Sequence, residues 1–165
     1  MRTSLIAAAA AAVLLSAMAT AFAADRASEK FIKEAIEGNL AEVQVGKLAQ
    51  EKGQRADVKA FGQMLASDHG SANQKAMQVA GQLGVTTPNE PNAKQKKVYD
   101  KLSKLSGDKF DAAFAKEMVK DHKHDIKAFE KAAKATQDPA KSFASETLPT
   151  LRKHLETAQA LEKAR

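Results

Sequence analysis

Two stretches of this chain each put an aspartate and a histidine where an amphipathic helix should be continuously apolar. Phe61 to His69 reads FGQMLASDH and Phe114 to Phe129 reads FAKEMVKDHKHDIKAF; both follow Phe, three residues, Leu or Met, two residues, Asp-His. At 3.6 residues per turn these Asp-His pairs fall on the inward stripe of their helices. Buried ionisable groups are costly unless they are paired, so such helices must assemble around a shared polar layer.

The rest of the chain supplies the helices. A first helix is predicted from a cap at Asp25 or Ser28 to about Lys52, with Gly53 as a left-handed stop. Its apolar residues Phe31, Ile32, Ala35, Ile36, Leu40 and Val43 recur at three and four, and Glu42 lies about 50° from the centre of that face. A second helix runs from about Arg55 to Leu83, carrying Phe61, Leu65, Ala76 and Val79 inward beside Asp68 and His69. Gly62 and Gly70 each cost about 1 kcal/mol relative to Ala in a helix interior, which fits either a neighbour that approaches closely there or glycines that the helix simply tolerates.

A loop with two prolines (VTTPNEPN) and a short, Lys-rich helix from Ala93 to Leu105 follow. This connection is long enough to travel the length of a bundle and return the chain parallel to its second helix. A third long helix is predicted from Asp108 to about Thr136, with Asp121 and His122 within its stripe. Asp138-Pro139 opens a fourth, whose inward residues include Phe143, Leu148, Leu151, Leu155 and His154, with Pro149 interrupting it. The expected fold is all-α, a four-helix bundle with a long crossover containing one short extra helix.

Residues 1–23 have the charged start, apolar centre and Ala-Phe-Ala exit of a secretory signal, so cleavage is expected after Ala23. That leaves 142 residues, 24–165, as a single exported domain, expected in the periplasm or secreted. No transmembrane segment is expected in the processed chain, and without cysteine it forms no disulfide. Its lysines are interleaved with acids, so no nucleic-acid surface is expected. A weak contact with anionic envelope surfaces, through the crossover cluster from Lys94 to Lys109, is the basic partner the pattern allows. There is no nucleophile elbow, phosphate loop or His-Glu-x-x-His helix, and the chain is not expected to be an enzyme.

Distances from the two hairpin turns bring Glu42, Asp68, His69, Asp121, His122 and His154 to one depth. Imidazole with carboxylate suits a divalent transition metal, Fe, Zn, Mn or Cu, held for storage, sensing or scavenging. The alternatives are a buried Asp-His network that binds nothing, in a structural or envelope-stress protein, and a pH sensor.

The segments FIKEAIEGNLAEVQVGKLAQEKG, VKAFGQMLASDH, FDAAFAKEMVKDHKHDIKAFEKAA and TLPTLRKHLETAQAL resemble the bacterial secreted family catalogued as domain of unknown function 4142. The resemblance covers the processed chain and implies a ferritin-like bundle and a periplasmic location, without an assigned activity. Ferritin-like enzymes use Glu on two helices and Glu-x-x-His on the other two. Here Glu42 alone occupies such a position and Asp-His pairs replace the rest, so ferroxidase activity is not expected.

Overall fold

The computed structural model describes the backbone of residues 3–137 and 139–164, and side chains from Arg26 onward. The expected signal segment and the Asp138 cap lie outside the residues whose side chains are described. Five helices follow one another: α1 (Thr3–Lys52), α2 (Ala56–Gln82), α3 (Ala93–Ser103), α4 (Gly107–Ala135) and α5 (Ala140–Lys163). The first helix extends further towards the N-terminus than the caps predicted. Ser28 is buried within it instead of ending it.

The chain is an all-α four-helix bundle in which α1–α2 and α4–α5 are antiparallel hairpins and α3 lies in the crossover between them. Hydrogen bonds fix the ends. The backbone N–H groups of Gln54 and Arg55, at the first hairpin turn, donate to Asp111 near the start of α4 at 3.0 and 2.9 Å. Arg55 also reaches the Leu161 carbonyl near the end of α5. That end therefore holds the C-termini of α1 and α5 and the N-termini of α2 and α4, so α4 runs parallel to α2 as the long connection requires.

Asn92 caps α3 by accepting from the N–H groups of Lys94 and Gln95, and its amide donates to Glu37 of α1 at 3.1 Å. The crossover is thus pinned to the bundle. Ser106 starts α4, leaving Asp108 in the first turn, where its charge complements the helix dipole. Gly53 is not left-handed; the positive-φ glycines are Gly84 and Gly107. What Gly53 supplies is room, since a Cβ there would sit 2.6 Å from the Ala49 carbonyl oxygen.

The apolar interior comes in two parts. Near one end Phe31 meets Phe129 edge-on at 4.9 Å and packs with Phe143, Ile32, Ile36 and Leu151. Near the other, Phe61, Phe110, Phe114, Leu65 and Met118 form a second cluster, completed by Leu102 of α3. The histidines and most of the buried acids occupy the level between these two clusters. Each end is held by apolar burial, which leaves the middle free to carry charge.

Candidate metal centre

His69 (α2), His122 (α4) and His154 (α5) converge in the gap between the two apolar clusters. Each offers a ring nitrogen, and these nitrogens all lie within 4.8 Å of one another. His122 and His154 have no solvent exposure and His69 has 4%. They arrive together because positions 69 and 122 are about a half-helix from their respective ends on parallel helices, and 154 is level with them on the antiparallel partner.

The other nitrogen of each ring is tied to a hydrogen-bond acceptor. His154 Nε2 donates to Asp68 Oδ2 at 2.9 Å, His122 Nδ1 to the Met118 carbonyl at 3.0 Å, and His69 Nδ1 to Asn39 Oδ1 at 2.9 Å. A carbonyl can only accept, which fixes the proton of His122 on Nδ1; the Asp68 carboxylate does the same for His154 on Nε2. The nitrogens left over are His122 Nε2, His154 Nδ1 and His69 Nε2, all carrying lone pairs. His122 Nε2 and His154 Nδ1 stand 3.3 Å apart, and His69 Nε2 is buried without any partner.

Burial holds all three imidazoles in their neutral form. It drives the His69 pKa well below its ordinary value, aided by His122 and His154. It also takes His122 down to about 4 with help from His154, against the opposing bond to Met118. His154 is lowered too, chiefly by burial and partly offset by Asp68. Neutral imidazole is the form that ligates a metal, so the site needs no proton removed before a cation enters.

The remaining predicted residues divide between two roles. Asp68 orients His154 from behind. Glu42 and Asp121 belong to an acidic side of the layer, where α1 faces α4. Asp121 and His122 are neighbours in sequence and so point about 100° apart on α4. Glu42 is 5% exposed, its Oε2 has no partner, and burial followed by the charges of Asp125, Asp121 and Glu117 pushes its pKa well up. Burial and Asp121 raise Asp125 to about 7, against the opposing pull of Lys94. Burial and Glu117 raise Asp121. Among the described residues, the compact group of possible ligands is the histidine trio, and Glu42, Asp121 and Asp125 do not join it.

Sequence reasoning did not single out Asn39 or the Met118 carbonyl, which hold two of the three rings. Asn39 was legible, standing one turn before Glu42 on the same inward face. The Met118 carbonyl was not, since any residue at that position supplies one. A groove of about 580 Å³ between α1 and α4 reaches His69, passing Asn39, Gln95, His124 and Asp125, and connects the layer with solvent.

A family model described as "Domain of unknown function (DUF4142)" matches residues 13–161 of the chain. No curated protein matches it. Among solved structures, it is similar to the crystal structure of a DUF305 fragment from Deinococcus radiodurans, with a TM-score of 0.74 at 12% identity, over 84% of this chain and 97% of that one. At that identity the likeness speaks for the fold, a helical bundle.

Proposed function

The chain belongs to the DUF4142 family, and we propose that it is a non-enzymatic binding protein for a divalent transition metal, held by His69, His122 and His154. One observation carries this reading: two lone-pair nitrogens face each other at 3.3 Å, with a third buried and unpartnered beside them. Lone pairs at that distance repel unless a cation lies between them. A tetrahedral metal with nitrogen ligands at 2.0–2.1 Å spaces those ligands about 3.3 Å apart, and a shift of the His69 ring on the order of 1 Å completes the tripod.

Three neutral nitrogen donors, no thiolate and a carboxylate behind one ring suit Zn²⁺ or Cu²⁺ better than Mn²⁺ or Fe²⁺, which favour oxygen-rich sets. The groove that reaches His69 gives the ion an entry path, so the site fits capture and release of metal. Storage, sensing and scavenging all use that property. The charged start, apolar run and Ala-Phe-Ala exit of residues 1–23 support an exported protein, processed to a single domain over 24–165 that works in the periplasm. Among the described residues, no helix is long and apolar enough to cross a membrane.

The test is metal content and affinity of protein purified without a histidine tag. One equivalent of Zn²⁺ or Cu²⁺, lost alike in His69→Ala and His154→Ala, is the expected result. A metal-free protein whose melting temperature ignores both ions would instead assign the layer to a buried network, with a proton between His122 and His154.

A further inference from the structure

Lysine and acid are segregated on α4 as on no other helix. Its seven lysines, at 109, 116, 120, 123, 127, 131 and 134, are all exposed. At 100° per residue they fall within an arc of about 80°, and at 1.5 Å per residue they extend over about 38 Å. Asp111, Asp121 and Asp125 turn towards the bundle from the opposite side of the helix. Glu130, at the edge of the arc, is taken by Arg152 at 2.9 Å. Lys120 pairs with Glu117 at 2.6 Å, and Glu162 of α5 borders the ridge beside Lys116, Lys120, Lys123 and Lys127.

Elsewhere the exposed charge is mixed. On α1, Lys33 pairs with Glu29 at 2.6 Å and Lys30 with Glu34 at 3.8 Å. The crossover cluster expected to meet anions is partly consumed, since Lys96 pairs with Glu90 and Lys94 acts on Asp121 and Asp125. The single-sign field belongs to α4.

We propose that this lysine ridge docks the protein on an anionic phospholipid surface. The ridge is straight and convex, so a flat array of phosphates meets all its ammonium groups together. A duplex nucleic acid, whose backbone makes a full turn in about 34–36 Å, would meet only a few of them. No aromatic residue lies on the arc to stack on bases, which argues against a single strand. Ala113 shares the arc but is too small to insert into a bilayer, so the attachment is electrostatic, reversible and sensitive to salt. This inference is independent of the metal reading.

Vesicle co-sedimentation tests it. Both apolar clusters lie within residues 31–161, so the form lacking residues 1–23 retains every core side chain and is the form to assay. It is expected to bind phosphatidylglycerol vesicles and not phosphatidylcholine vesicles. Each ridge lysine removed should lower the partition coefficient about fivefold, so K116Q/K123Q/K127Q/K131Q should lower it by about several hundredfold with an unchanged helical spectrum. The control K30Q/K47Q/K59Q/K75Q removes the same charge from α1 and α2 and should bind far more tightly than the ridge variant. Equal loss in both variants, or no binding to the anionic vesicles, overturns the proposal. So does tighter binding to duplex DNA or polyphosphate at the same ionic strength.

Discussion

His122 Nε2 and His154 Nδ1 face each other at 3.3 Å, and the hydrogen bonds behind them leave both nitrogens without a proton of their own. The arrangement rests on Asp68 as much as on the rings, because its carboxylate selects the tautomer of His154. Asp68→Asn keeps the shape but replaces a fixed acceptor with an amide that can turn either way. Affinity for Zn²⁺ or Cu²⁺ should fall about 10–100-fold, read by competition with a chelator. Asp121→Asn, on the acidic side of the layer, should leave it unchanged. Equal effects from the two variants would show that Asp68 acts only through its charge.

The two sides of the layer titrate in opposite senses. His69, His122 and His154 have folded pKa values below 6.5, so below that pH the unfolded chain binds protons the fold refuses, and stability falls as pH falls. Glu42 and Asp125 have folded values above their ordinary 4.5 and 3.8, so their protonated forms favour the fold at low pH. That contribution is lost as pH rises, through about 7 for Asp125. Between about pH 4.5 and 6.5 the slopes oppose each other. Glu42→Gln removes one of the losses at high pH and gives the acids around it an amide donor. In chelator, urea unfolding should find the variant more stable than the parent at pH 8 by on the order of 1–3 kcal/mol, with a smaller gap at pH 4.5. The same gap at both pH values would mean that Glu42 is not a strained acid.

Four helices, their order and the crossover were legible because apolar spacing, Pro and Gly report local structure directly. The depth of the polar layer was legible too, since distance from a hairpin turn converts to height along the bundle. The direction of each side chain within that layer was not. His122 and Asp121 differ by one residue and look alike in a stripe, yet one joins the histidines and the other faces α1. That depends on the rotation of α4 about its own axis, which is set by packing such as Phe110 and Phe114 against Phe61 and not by the local sequence.

The interior glycines of α2 give a prediction with two signs. A Cβ on Gly62 would stand 2.6 Å from the Gly46 carbonyl oxygen of α1 and 2.8 Å from Ala49 Cβ, while a Cβ on Gly70 would meet nothing within 4 Å. Of the two readings the sequence allowed, close approach holds at Gly62 and simple tolerance at Gly70. Gly62→Ala should cost about 1–3 kcal/mol by forcing α1 and α2 apart. Gly70→Ala should stabilise the protein by about 0.5–1 kcal/mol through helix propensity. Thermal or urea denaturation distinguishes them, and a shared sign would contradict the helix contact described here.

Asp111 ties the two hairpins together at the end remote from the expected leader. Arg55, the N-cap residue of α2, turns its guanidinium to the last carbonyls of α5 instead of capping its own helix, while the backbone N–H groups of Gln54 and Arg55, just before α2, are met across the bundle by the Asp111 carboxylate. The acid is 4% exposed, and its removal would leave those part-buried donors without a protein acceptor. Asp111→Ala should therefore cost roughly 2–3 kcal/mol, and Asp111→Asn, which keeps one acceptor, about half as much. Asp111 is about 16 Å along α4 from His122, so metal stoichiometry should be untouched in both variants. A stability change within about 0.5 kcal/mol for Asp111→Ala, the range of an ordinary surface substitution, would show that water satisfies the Gln54 and Arg55 N–H groups equally well.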